Sequence, residues 1–375
     1  MKKENDKLVT VAIHSYEKAQ ILKSILESEG IPAVINGINL IQPAIPGNVR
    51  VRINESDLEA ALKIIEGVDL SSEDESEEED KLNKVVLIPV DFSDYSLVAC
   101  KFGFQLAKDL NCSVKLMHVF FTPFYPASVP FGDSFTIQST DSEVYIDIKE
   151  KTEKEMETLV NTLKEKIASG DIADVSFDHF LYEGLPEEEI INYSKKHRPM
   201  AIVMGTRGKN ARELDLIGSV TAEVMDGCRT PIFGIPEESK VKSPAELKKV
   251  VFLTNFQQRE FDAFDIMVKY LGSHDLKVYI AHITKKDDVW DEIKLSGFQK
   301  SLEERYPNIK VEYKLIDQSE SLEVSLDTFV KENDIDLISL SSSRRNIFAR
   351  MFNPGIARKM LFHSDTPLLV IKGHE

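Results

Sequence analysis

Gly205, Gly208, Gly218 and Ser219 are spaced as G-x2-G-x9-G-S in this chain of 375 residues. Glycines at such offsets let main-chain N–H groups approach a ligand without a Cβ in the way, and a Gly-Ser pair that opens a helix adds free N–H groups and a hydroxyl. The chemistry this suits is an anion cradle, for phosphates above all. With 17 glycines in the whole chain, three at fixed offsets would arise by chance at about 0.03 places. The alternative is glycines needed only for turns. The motif is not a Walker A loop, since GxxxxGK[ST] is absent, and no GxGxxG follows the first strand of the unit. Arg207 and Lys209 flank the loop, either as counter-cations for a phosphate or as ordinary surface charges.

Such a loop has to be held by a strand before it and a helix after it. AIVMG (201–205) is the strand and the segment from Ser219 is the helix. VVLIPV (85–90) is a continuous apolar run of the kind buried on both faces of a parallel sheet, with Pro89 near its end and Asp91 directly after it. SVKLMHVF (113–120) is a second strand, with Val119 at its end. Between them come helical patterns over 97–110, near 149–167 and after Pro186, with another strand at VSFDHFLYE (175–183). Alternation of this length predicts an open, doubly wound α/β sheet, and ligands in such sheets bind beyond the strand C-termini where strand order switches. Asp91, Val119 and Gly205 are expected at that edge. Asp91 could otherwise be a plain loop acid. His118 sits mid-strand without a partner at metal-ligand spacing and reads as structural.

The pattern recurs. VVLIPVDF (85–92) is echoed by VVFLTNF (250–256), and TPIFGI (230–235) by TPLLVI (366–371) at an offset of 136, so two copies of one domain are expected in tandem. The second copy departs at the motif: Gly205 becomes Ser341, Gly208 Arg344, Gly218 Pro354, Ser219 Gly355, and Asp91 becomes Asn255. Side chains at Ser341 and Arg344 would obstruct a ligand, and Pro354 lacks an N–H. The second copy is expected to keep the fold and lose the site, although SSSRR (341–345) could hold some other anion.

Ahead of both copies, LVTVAI (8–13) reads as a strand and Ala19, Leu22, Ile25 and Leu26 follow at helical spacing up to Gly30. PAVING and NVRVRIN supply two more strands, and Ser56-Asp57-Leu58-Glu59 has capping-box spacing before a last helix. The order is β-α-β-β-α. SSEDESEEED (71–80) then places seven carboxylates in ten positions with no apolar residue, which reads as a tether. The expected division is a small α+β domain over 1–68, an acidic linker over 69–82, and repeats over 83–238 and 247–375. An aromatic-rich loop from Phe120 to about Val144 leaves the same sheet edge, either to cover the site, to meet a partner, or to pack on its own domain.

Composition limits what the chain can be. Hydrophobic residues at 42% and charged residues at 29% are ordinary for a globular protein and exclude collagen or wholesale disorder. A net charge of −17 opposes nucleic acid and anionic membranes as main partners. Three cysteines with no CxxC pair fit a reducing compartment, and no apolar run approaches a membrane span. With a charged first eight residues, the expected location is cytoplasmic.

PVDFS (89–93), LMHVF (116–120), EGLPEEEI (183–190) and the glycine motif together resemble the universal stress protein family, in its ATP-binding branch, over roughly 83–236. The first 68 residues, through ILESEGIPA (25–33) and DLEAALKII (57–65), resemble a small prokaryotic domain family of signal-transducing type. The first resemblance implies that Asp91, in the loop after Pro89, contacts the adenosine of ATP, that Val119 packs on adenine, and that Gly205, Gly208, Gly218, Ser219 and Val220 hold ribose and phosphates, with Arg207 beside them and Mg²⁺ as a companion ion. It also implies that the last strands of two such domains pair, here within one chain.

The expectation is therefore a nucleotide-responsive stress protein, with ATP as a bound regulator of the first repeat and the second repeat as its dimer-like partner. A protein client would meet the small domain or the aromatic loop, and a homodimer is a further possibility. No residue is assigned to catalysis. The alternatives are a slow Mg-dependent ATPase, though the motif supplies a cradle with no evident base or Walker-type Asp, and a scaffold that needs no nucleotide.

Overall fold

The computed structural model describes residues 8–14, 16–36, 49–67, 83–121, 140–206, 219–272, 275–284, 289–307, 309–317, 322–342 and 365–372. The acidic segment 71–80, most of the aromatic loop, and Arg207, Gly208, Gly218, Arg344, Pro354 and Gly355 lie outside them.

Strand β1 (Leu8–His14), helix α1 (Tyr16–Ser28), β2 (Ala33–Asn36), β3 (Val49–Asn54) and α2 (Leu58–Gly67) make the small N-terminal unit. Its sheet is antiparallel in the order β1-β3-β2. One side is covered by the helices, with Ala19, Leu22, Leu26, Val51, Ile53 and Ala61 fully buried. Gly30, at φ +83°, ends α1 in the left-handed region, and the Ile31 N–H donates back to the Leu26 carbonyl at 2.9 Å.

The rest is built on one ten-stranded sheet. Its first half comprises β4 (Asn83–Pro89), α3 (Asp94–Asp109), β5 (Ser113–Phe120), α4 (Thr140–Ala168), β6 (Phe177–Glu183), α5 (Pro186–His197), β7 (Pro199–Gly205), α6 (Ser219–Gly227) and β8 (Ile232–Ile235). The second half comprises β9 (Lys249–Leu253), α7 (Arg259–Leu271), β10 (Lys277–Thr284), α8 (Val289–Arg305), β11 (Lys310–Asp317), α9 (Leu322–Glu332), β12 (Leu337–Ser342) and β13 (Leu368–Lys372). Strand order is β11-β10-β9-β12-β13-β8-β7-β4-β5-β6. Every pairing is parallel except the central one, where Leu368, Leu369 and Val370 of β13 face Gly234, Phe233 and Ile232 of β8 antiparallel.

Period-two alternation explains the layers. Val86 and Ile88 point into one core, together with α3 and α4, while Leu87 points into the other, beneath α5 and α6. All three are fully buried, as a strand covered on both faces requires. In each half the first strand lies between the second and the fourth, β4 between β5 and β7 and β9 between β10 and β12. Strand order therefore switches direction at the C-terminal ends of β4 and β7.

Helix α4 differs from the sequence reading. It begins at Thr140, so the loop from Phe120 ends before Val144, and the helix runs 29 residues. Its upper turns carry exposed Ile146, Asp147, Lys149 and Glu150, while burial starts at Thr152 and Met156. Apolar periodicity marks only the part of a helix that has a core to face.

Candidate functional site

The switch point is built from three strand ends. Pro89 closes β4 in register with Met117, Val119 stands near the end of β5, 9% exposed, and Gly205 closes β7 opposite Ile235. Asp91 lies in the turn from β4 into α3. Its Oδ1 accepts from the Ser93 N–H at 3.2 Å, the Ser93 hydroxyl at 2.5 Å and the Ser96 hydroxyl at 2.5 Å. The Asp91 N–H in turn donates to Ser96 Oγ at 2.9 Å, and Ser93 Oγ caps α3 by accepting from the Ser96 N–H. The carboxylate is thus fixed by its own helix cap. Ser96 had no role in the sequence reading; the signal available for it was a hydroxyl five residues after Asp91, one turn into a helix.

Phe92 between them is left-handed, at φ +62°. Its ring lies 4.2 Å from that of His118, whose Nδ1–H donates to the Val90 carbonyl at 2.7 Å. His118 has the structural part expected of it, holding the turn that presents Asp91.

On the other side of the crevice, the Thr206 N–H donates to the Ile235 carbonyl at 3.1 Å, continuing β7 against β8. Thr221, buried in the first turn of α6, donates its hydroxyl to the Gly205 carbonyl at 2.9 Å. This bond pins the start of α6 to the end of β7, so that Ser219 opens the helix at the same edge, and Val220 packs against the core. Thr206 and Thr221 were likewise not singled out in the sequence. Gly234 lies close behind them: a Cβ there would come within 2.7 Å of the Met225 methyl, the movable end of that side chain, and 3.3 Å of Thr206 Cγ2.

A carboxylate, an apolar strand end, a glycine carbonyl and a helix N-terminus share one edge. This set fits a nucleotide chemically. Asp91 can accept from hydroxyl or amino groups of a nucleoside, Val119 offers an apolar contact for a base, and the first N–H groups of α6, with its positive dipole end, favour phosphate. Among the described residues no cluster of His, Cys, Asp and Glu could hold a metal by itself.

The second half repeats the scaffold and alters the chemistry. Ser341 faces Ile371 as Gly205 faces Ile235, which places its side chain where the first half has none. The turn after β9 keeps its shape: Phe256 has φ +59°, its ring lies 4.5 Å from that of His282, and His282 Nδ1–H donates to the Thr254 carbonyl at 2.7 Å. The carboxylate has moved from the turn to the helix. Asn255 replaces Asp91, and Glu260 stands at the position of Ser96. Glu260 is 3% exposed and accepts from the Asn255 N–H at 2.9 Å, from the Gln257 N–H at 3.2 Å and from the Thr254 hydroxyl. Its oxygens serve the turn. Ser339 and Ser341 add buried hydroxyls with no hydrogen-bond partner in the core beneath α7.

The three thiols are buried. Burial pushes the Cys100 thiol up to about 12 and the Cys228 thiol up to about 11, the latter opposed by the Ser194 hydroxyl 3.2 Å from its sulfur. No helix among the described residues is long and apolar enough to cross a membrane.

Residues 83–235 match the model of the "Universal stress protein family", and residues 12–69 match that of the "Putative prokaryotic signal transducing protein" family. A universal stress protein of Methanocaldococcus jannaschii is 28% identical over 162 residues, covering 43% of this chain and 86% of that protein. A crystal structure of a universal stress protein from Archaeoglobus fulgidus superposes with a TM-score of 0.57 at 17% identity, over 78% of this chain and 98% of that one, which shows the fold. A universal stress protein solved in complex with cAMP matches 42% of this chain and 99% of its own, at 16% identity and a TM-score of 0.26.

Proposed function

With residues 83–235 forming a universal stress protein family domain behind a signal-transducing-type domain at 12–69, we propose that the first repeat binds ATP, with Mg²⁺ on its phosphates, as a regulator that is not turned over rapidly. The repeats would divide near 83–238 and 247–375, joined to the small domain by the acidic linker. The second repeat serves as a covalently attached partner, and the small domain receives or relays the signal.

What supports this reading is that the hydroxyl-held Asp91 carboxylate follows the end of β4 and the Thr221-pinned start of α6 follows the end of β7, two neighbouring strands at the switch in strand order. Asp91 and Val119 would take the nucleoside. Gly205, Gly208, Gly218 and the α6 N-terminus, with Arg207, would take the phosphates. In the second repeat Ser341 fills the glycine position and Glu260 is consumed by its own turn, which supports a single site.

Calorimetric titration of the nucleotide-stripped protein with Mg-ATP is expected to give one site per chain. Two sites would overturn the reading of Ser341 and Glu260, and none would leave a nucleotide-independent scaffold in front. Gly205→Asp with Gly218→Glu is expected to abolish the ATP-dependent rise in melting temperature, about 2.7 kcal/mol of ligand stabilisation at a hundredfold excess over Kd. A turnover assay that stays flat while binding is evident would set aside the ATPase.

A further inference from the structure

The two halves differ at a second place, where α4 or α8 passes the start of the preceding helix. In the second half the space is plugged by aromatic rings. Phe261 of α7 stacks on Phe298 of α8 at 4.4 Å, Phe256 meets Phe298 edge-on at 6.2 Å, and the Arg305 guanidinium lies 5.3 Å over Phe261. Phe298 is 4% exposed.

The left-handed pair Phe92 and Phe256 sets the register between α3 and α7, making Leu97 the counterpart of Phe261. Matching the fully buried Leu163 to Leu302, and Lys166 to Arg305 near the helix ends, makes Leu159 the counterpart of Phe298. Two leucines thus stand where the second half has two stacked rings. The result is a groove of about 400 Å³ floored by Phe92, Leu97 and Leu159. Its rim carries both signs of charge, with Lys151, Lys154 and Glu155 on α4 and Asp94 in the first turn of α3.

We propose that this groove binds a small aromatic zwitterion of the α-amino acid class. The ring takes the place that Phe298 and Phe261 fill in the other half. The ligand's carboxylate meets Lys151 and Lys154, and its ammonium meets Asp94. A purely apolar ligand would strip water from Lys151, Lys154 and Asp94 and pair none of them, and a polyanion would meet the Asp94 carboxylate. A ligand with both charges matches the rim. The groove uses neither the glycine motif nor α6, so the proposal goes beyond the nucleotide site and does not depend on it.

The test is saturation-transfer NMR on the full chain, first without and then with Mg-ATP, using L-phenylalanine, 3-phenylpropionate and phenethylamine as probes. Saturable binding is expected for phenylalanine, with each analogue about tenfold weaker for its missing charge. Leu97→Phe with Leu159→Phe, which installs the plug of the second half, is expected to abolish binding without lowering the melting temperature. Lys151→Glu with Lys154→Glu, at exposed positions, is expected to remove phenylpropionate binding and keep that of phenethylamine. Absence of saturable binding, equal affinity for all three probes, unchanged phenylalanine binding in the double leucine variant, or unchanged phenylpropionate binding in the double lysine variant would overturn the site. Loss of the phenylalanine signal when Mg-ATP is added would overturn it too, by assigning the probe to the nucleotide crevice.

Discussion

At the residue scale, the two halves put one carboxylate to opposite uses. Asp91 sits in its turn and is held by hydroxyls from α3, whereas Glu260 sits on α7 and is spent on main-chain N–H groups. Glu260→Gln removes charge-assisted bonds at a site 3% exposed and is expected to cost about 2 kcal/mol in chemical denaturation. Ser96→Ala is expected to leave the fold standing and to weaken nucleotide binding, since it removes one of the three donors that fix the carboxylate. Ser339→Ala works the other way. It deletes a fully buried hydroxyl with no partner, and is expected to be neutral or to stabilise by up to about 1 kcal/mol. Cys100 and Cys228, with thiols pushed to about 12 and about 11, are expected to stay silent to a thiol reagent at neutral pH until the chain unfolds.

At the scale of elements, α4 is tied to α3 by Asp171, which pairs with Lys101 at 2.5 Å and Lys166 at 3.1 Å. The hydrogen bond from Lys101 and then that from Lys166 hold the Asp171 carboxyl below the usual carboxylate range. A depressed folded pKa stabilises the protein above the ordinary carboxylate pKa, and that contribution is lost as pH falls through the lowered value. Asp171→Asn is therefore expected to reduce stability at neutral pH and to make the acid limb of the stability–pH profile shallower. Legibility in the sequence followed burial. Strands such as VVLIPV and AIVMG are apolar throughout because both faces are covered, so their order could be read, and the last strand of each repeat could be recognised by its TP start. The upper turns of α4 expose Ile146, Asp147, Lys149 and Glu150, so the sequence marked the helix only from about Lys149. The left-handed Phe92 and Phe256 could not be read either, because no residue type marks a positive φ outside glycine and a few polar residues. For the site, the glycine spacing and Asp91 could be seen directly, whereas Ser96, Thr221 and Glu260 act through bonds that only the folded turn creates.

At the scale of the whole molecule, the halves meet along β8 and β13 and through Tyr270 of α7, whose hydroxyl donates to the Met200 carbonyl at the start of β7. Lys372 adds a bond to the Asp226 carbonyl. Tyr270 is 3% exposed, with its ring 6.4 Å from Phe233 of β8. Tyr270→Phe leaves a main-chain acceptor unpaired and is expected to cost about 1 to 2 kcal/mol. Because the seam is continuous sheet, both halves are expected to melt in one calorimetric transition, and a charge at Leu369, such as Leu369→Asp, is expected to split it in two. The antiparallel seam also decides how many kinds of molecule can exist. Two separately encoded halves, free to associate, would mix into like and unlike pairs whose proportions drift with expression. Joined in one chain across β8 and β13, every molecule holds one half of each kind, so the ratio of intact to altered crevices is inherited with the gene and cannot be diluted by partner exchange.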